Sequence, residues 1–292
     1  SITGQIFDYF LAYSIDTASY TGTNNTFVER GWSIIRDIAN ITFIFALLYV
    51  AIAHILNISS SKTKSFLKDI IIAAILINFS LFFTKVIIDG GNILARAFYT
   101  QIEIVNGDNP DNKDVSKAIV SHIEPQKLMS STLFRPVDAP GRDAERIDPG
   151  WAFLIMILVT AVNVIIGITF LSVFLLFAAR VIGLWFMMIF SPLAFASIAI
   201  PGTKGFLGKF GIGEWLKQTA SLSFMAPVFM FFLFLLIMFL EIVFTSSIPE
   251  GDQSSVQSIM SVLIPFIAVI LILNMAKKQA KDMSGEVGKQ VT

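Results

Sequence analysis

Two histidines, His54 and His122, 21 acidic residues and no cysteine are the stock from which this chain could build a reactive centre. Lack of cysteine removes disulfides, thiolate-bound zinc, iron–sulfur clusters and a thiol nucleophile together. An enzyme would need a nucleophile beside a base, a pair of carboxylates, or metal ligands set at one depth. His54 and His122 stand on different segments, and neither carries the acid pattern of a metalloprotease helix. His54, close to the end of an apolar run, suits a hydrogen-bonded interfacial residue, with a proton relay as the alternative. The glycines from Gly202 to Gly213 invite comparison with a phosphate loop but lack the spacing of a Walker motif, so a hinge is the simpler reading. Phe229 to Phe239 places aromatic bulk all round its helix, which fits lipid contact and packing better than base stacking. The expectation is a protein that is not an enzyme, with no catalytic residue, no cofactor and no metal site.

The informative polar residues are those embedded in apolar sequence. A charge in hydrocarbon costs about 2.5 to 3.5 kcal/mol on insertion scales, so each needs a partner, water or a function. Arg36 and Asp37, with Glu29 and Arg30 just before them, form an interfacial charge cluster suited to pairing and anchoring, with a pathway role as the other option. Lys85 precedes Asp89 by one turn, an i, i+4 pair able to neutralise both. Arg180 interrupts the apolar stretch from Trp151 to Ile200, and must end a span, snorkel or face a wet interior; ending a span is the preferred reading. Glu241 lies near a span end, where it can reach headgroups, and pore lining is the minor reading. Asn40, Asn78, Asn163 and Asn274 can join helices through hydrogen bonds of about 0.6 to 2 kcal/mol. Pro192, Pro227 and Pro265 each remove a backbone donor and should kink or interrupt their helices.

The elements that hold these residues are transmembrane helices. The chain is 55% hydrophobic and only 14% charged. A soluble fold cannot hide so much apolar surface. About 20 apolar residues cross the hydrocarbon, and Ile34 to Leu56, Phe66 to Ile88, Trp151 to Ala179, Val181 to Ile200, Trp215 to Phe244 and Val256 to Ala276 are the candidate runs. Asp89-Gly90-Gly91 should mark a break or bend, because each glycine costs a helix about 1 kcal/mol. Ser1 to Asp16 spaces Ile2, Ile6, Phe7, Phe10 and Leu11 helically, as in a helix lying on the membrane surface; an ordinary amphipathic packing helix fits equally. The resulting division is 1–33, an external amphipathic segment; 34–91, a transmembrane hairpin; 92–150, an external hydrophilic insert or small cap; 151–276, the transmembrane core; and 277–292, a cytoplasmic tail.

Short basic segments stay on the cytoplasmic side, and here they are Lys62 to Lys68, Lys204 to Lys217 and Lys277 to Lys281, whereas Thr245 to Ser255 has no lysine or arginine. An external 92–150 insert then requires an odd number of passages through Trp151 to Ile200. The preferred solution is one crossing that ends at Arg180, after which Val181 to Ile200 re-enters and returns at Pro192. That makes five crossings, N-terminus outside and C-terminus cytoplasmic; six full crossings are the rival. Ser1 in place of methionine points to an earlier segment having been removed. Zero net charge gives no general reason to expect nucleic-acid binding.

Two segments resemble a known family. Arg180, Leu184, Trp185, Ser191, Pro192, Leu193, Ala194, Phe195, Pro201, Gly202 and Thr203, followed by Trp215 and Pro227, resemble the TrbL-like polytopic inner-membrane subunits of bacterial type IV secretion systems. Gly31-Trp32 with Arg36, Asp37, Asn40 and Phe43 is similar to related proteins of the same systems. The likeness is close over Arg180 to Pro227 and loose over Gly31 to Ala276, and the 92–150 insert departs from it. It implies a subunit that forms homo-oligomers in the inner membrane, contacts a periplasmic stalk or pilin, and helps export protein or DNA without hydrolysing ATP. The expected architecture is an all-α polytopic bundle; a small-molecule transporter or ion channel, or a structural scaffold, are the other functions open to it.

Overall fold

A computed structural model describes residues 2–18, 26–56, 61–102, 114–122, 149–199, 211–246 and 255–284. Among the described residues the regular structure is helical: α1 (Ile2–Ile15), α2 (Thr26–Ile55), α3 (Ser61–Gln101), α4 (Val115–His122), α5 (Pro149–Ala196), α6 (Ile212–Ser246) and α7 (Ser255–Met283). Four stretches, Thr26–Ile55, Leu67–Gln101, Thr160–Ala196 and Ile212–Ile242, are long and apolar enough to cross a membrane. The protein is an all-α membrane protein. Helix is the natural outcome for such runs, because hydrocarbon offers no partner for a backbone amide and an α-helix satisfies its own.

Two expectations are corrected, and one pair of alternatives is narrowed. α3 runs without interruption through Gly90 and Gly91, because tertiary packing outweighs the modest helix cost of two glycines. α5 is one helix of 48 residues that includes Arg180 and Pro192, so Arg180 does not end a helix and Val181 to Ala196 does not separate from the run before it. At about 1.5 Å per residue it is roughly 72 Å long, more than twice the hydrocarbon thickness of about 30 Å. α1 is a packing helix: Phe7, Leu11 and Ile15 are buried, together with Asp8 and Ser14.

The chain divides into two compact units. The first comprises Ser1–Ala12, Phe98–Leu175 and Phe229–Lys278. In it α1 lies against α5 through aromatic pairs, Phe7 stacked on Phe170 and Phe10 edge-on to Phe174, each with centroids 4.6 Å apart. α1 also holds the start of α4. The Ser116 amide donates to Asp8 Oδ1 at 3.0 Å and the Ser116 hydroxyl lies 2.5 Å from Oδ2, so a carboxylate from a distant segment caps two donors of a helix's first turn.

Burial pushes the Asp8 carboxyl up from 3.8 to about 6, the two Ser116 bonds oppose that rise, and nearby Asp114 adds to it. Lys117 on the same helix is exposed. A folded value above the unfolded one means that the contribution is complete below pH 3.8 and fades as pH climbs through about 6. Protection of the Ser116 amide against hydrogen exchange is therefore expected to be greater at pH 4.5 than at pH 7.5, after correction for intrinsic exchange. Asp8→Asn, which can still accept one bond and donate the other, should flatten the dependence. Equal pH dependence in both proteins would refute the assignment.

The second unit comprises Tyr13–Ala97, Leu176–Val228 and Gln279–Thr292. Its core has two parts. One gathers Phe43, Ile70, Ala73 and Ile77 with Phe195, Ala199 and Trp215; the other gathers Val28 and Ile88 with Val181, Leu184, Met188 and Leu222. Glycines set the closest approaches. A Cβ on Gly31 would stand 3.1 Å from Ile189, and one on Gly91 would stand 2.5 Å from the Ser223 carbonyl oxygen. α3 and α6 thus cross almost backbone to backbone at Gly91.

Candidate functional site

Two prolines inside long helices organise the second unit. A proline lacks the N–H that would bond the carbonyl four residues earlier. In α5 Pro192 leaves the Met188 carbonyl without its helical donor, and the Ser191 hydroxyl donates to it at 2.8 Å. The preceding carbonyl, Met187, accepts the indole N–H of Trp215 from α6 at 3.0 Å. The Trp215 ring also lies 5.5 Å from Phe195, beyond the proline. Trp215 therefore bridges the weakened turn of α5, bonded on one side of it and packed on the other.

In α6 Pro227 leaves the Ser223 carbonyl without its helical donor, and Arg180 of α5 supplies one. Its Nη2 donates to Ser223 O at 3.3 Å and its Nε to the preceding carbonyl, Leu222 O, at 2.9 Å. Nη2 also reaches Asn92 Oδ1 of α3 at 2.7 Å. Nη1 donates to Ser14 Oγ at 2.8 Å and to the Ser14 carbonyl. That carbonyl belongs to the last turn of α1, where helical acceptors lack partners and the helix dipole favours a cation.

These bonds engage all three nitrogens of the guanidinium. Arg180 is fully buried, a position in which an ion survives only if its hydrogen bonds replace those of water. A planar fork fixed by four helices does that, and lysine, with one nitrogen, could not span the same oxygens.

The charge cluster on α2 is present: Arg36 pairs with Asp37 at 2.9 Å, bonds the Ser33 hydroxyl, and lies 4.8 Å above the Trp32 ring. The Trp32 indole donates to Ser80 of α3 at 2.9 Å. Lys85 reaches Glu29 at 3.7 Å, a partner that the Lys85–Asp89 spacing did not announce. Asp89 lies one turn before Asn92 on α3 and is partly buried. Trp185 packs edge-on against Phe27, centroids 6.2 Å apart, in an apolar pocket. Pro201 and Gly202 lie outside the described residues, as does most of the 92–150 insert.

Sequence reasoning missed Ser14 and Asn92, the two side chains that complete the arginine's shell. Asn78, expected to join helices, instead donates to Ala74 O of its own helix at 3.0 Å, and His54 and Glu241 are exposed. Among the described residues no group of three or more histidines or acids is placed to hold a metal. No family model, curated protein or solved structure matches this chain.

Proposed function

We propose that the chain is an oligomerising inner-membrane subunit of a type IV secretion-type machine, forming part of its conduit or the platform on which the conduit stands. The observation that carries this reading is convergence: Arg180, Ser191, Pro192, Trp215 and Pro227, five of the residues of the family likeness, lie buried where α5 and α6 meet, at or beside the bonds that join or brace the two helices. Lipid and neighbouring copies would cover the apolar outer surface of α2, where Ile34, Ile38, Ile41, Phe45 and Leu48 are exposed.

Within this reading α2, α3, α5, α6 and α7 cross the membrane. Five crossings keep the 92–150 insert outside, where a stalk or pilin would meet it, and keep the basic segments in the cytoplasm. The continuity of α5 supports that count, since one helix makes one passage and the odd parity is kept without a re-entrant loop.

A second reading, a small-molecule transporter or ion channel, is favoured by a different observation. Asn92 Nδ2, Ser223 Oγ and Thr219 Oγ1 are buried without a hydrogen-bond partner among the described residues, and such groups are the usual material of a hydrated or ion-binding path. Pull-down of the tagged chain from its native membrane in mild detergent separates the two. Oligomers recovered with a secretion ATPase and stalk components are expected. A monomer free of such neighbours, which nonetheless carries ions or small solutes across liposomes, would replace the first reading with the second.

A further inference from the structure

α5 and α6 repeat one construction in opposite directions. Going along α5, Arg180 meets Leu222 and Ser223, Gly183 packs on Leu222, Met187 meets Trp215, and Ser197 meets Ile212, so the two helices run antiparallel. Each bears a donor twelve residues ahead of a proline, Arg180 before Pro192 and Trp215 before Pro227. Each donor bonds the carbonyl five residues before the other helix's proline: Arg180 takes Leu222 O at 2.9 Å, and Trp215 takes Met187 O at 3.0 Å. The carbonyls four before each proline are also held by side chains, Ser223 O by Arg180 and Met188 O by Ser191. Exchanging α5 with α6 carries the Arg180–Leu222 bond onto the Trp215–Met187 bond. Outside the two prolines the segments Arg180–Pro192 and Trp215–Pro227 share no identical residue in register, so the repeat belongs to the backbone and its bonds.

We infer that the two proline joints are a coupled hinge, in which α5 cannot bend at Met188–Pro192 without shifting α6 at Ser223–Pro227, and the reverse. A helix turn that has lost a backbone bond is its softest point, and elements ending at such turns absorb conformational change. Here neither soft turn is independent. Trp215 is anchored on both sides of the α5 joint, so bending there drags the first half of α6; Arg180 holds the α6 joint from the first half of α5 and transmits the pull back. The coupling does not depend on what the protein conducts.

The native sequence has no cysteine, which permits paired spin labels on cysteines placed at Leu216 and Met238, both exposed and on opposite sides of the α6 joint. They are 22 positions apart along α6. Pro227→Ala restores the missing amide and should narrow the distance distribution directly. Pro192→Ala, made in the other helix, should narrow it as well, by at least half as much. A Pro192→Ala distribution superimposable on that of the unsubstituted chain overturns the coupling. Both substitutions favour helix; should Pro192→Ala give no monodisperse protein, Trp215→Phe takes its place, with a broadened α6 distribution expected and an unchanged one counting against the hinge.

Discussion

Arg180→Met should lower the thermal midpoint of the detergent-solubilised protein by roughly 5 to 8 °C, the shift expected for about 3 to 5 kcal/mol in a chain of this size. Methionine fills much of the arginine's volume, so packing is not the main loss. The loss is that Asn92 Oδ1 and Ser223 O give up the donor that Arg180 brings while still buried, and that Ser14 and Leu222 lose one of their bonds. Each orphaned acceptor costs about 1 to 3 kcal/mol. Removal of the buried cation recovers part of that sum, since its desolvation no longer has to be offset, but the two orphaned acceptors and the weakened contacts to Ser14 and Leu222 outweigh one ion that was already well solvated by the fold. Arg180→Lys keeps the charge and should recover only a minor share of the lost stability, because a single ammonium cannot reach oxygens on α1, α3 and α6 together. Melting unchanged in Arg180→Met would mean that the network is incidental.

Gly90 and Gly91 provide the second large effect, and they should respond in opposite directions. A methyl on Gly91 would meet the Ser223 carbonyl at 2.5 Å for oxygen and 2.9 Å for carbon. Backbone cannot swing aside as a side chain can, so α3 and α6 must separate, and Arg180's bonds to Ser223 and Asn92 stretch as they do. Gly91→Ala is expected to destabilise by about 3 kcal/mol, comparable with severe overpacking, and Gly91→Val to prevent recovery of monodisperse protein. A methyl on Gly90 would meet nothing within 4 Å. Gly90→Ala should therefore stabilise by about 0.5 to 1 kcal/mol, the ordinary gain of alanine in a helix. Matching effects at both positions would show that helix propensity, and not the crossing, governs this turn.

These two predictions also mark what the sequence could and could not reveal. Long apolar runs are self-announcing, because only a helix satisfies its own backbone in lipid, and so the all-α membrane class and the helix cores were legible. The ends were less so: α3 continues to Gln101 and α5 through Arg180, since a glycine pair or a charge stops a helix only when nothing beside it accommodates them. Accommodation is a tertiary fact. Gly91 is helical because another backbone needs its space, and Arg180 is buried because oxygens from three other helices converge on it. Arg180, Pro192, Trp215 and Pro227 stood out by residue type. Ser14 and Asn92 did not, as a serine and an asparagine look ordinary until their neighbours, 166 and 88 residues away, are known. Lys85 teaches the same lesson, since its contact with Glu29 crosses between helices.

The partners of Arg180 are separated along the chain in a way that orders its biosynthesis. When the arginine leaves the ribosome, Ser14 and Asn92 have already been made, but Leu222 follows 42 residues later. At about 5 to 20 residues per second the delay is roughly 2 to 8 s. For that interval the nascent guanidinium lacks the Leu222 and Ser223 carbonyls that the finished fold provides, and releasing it into lipid without them would carry part of the penalty of an unsolvated ion. The insertion machinery must therefore retain α5 until α6 arrives, and deliver the pair as a hairpin. Truncation anywhere between Arg180 and Leu222 should then leave a chain that stays at the translocation site instead of entering the bilayer.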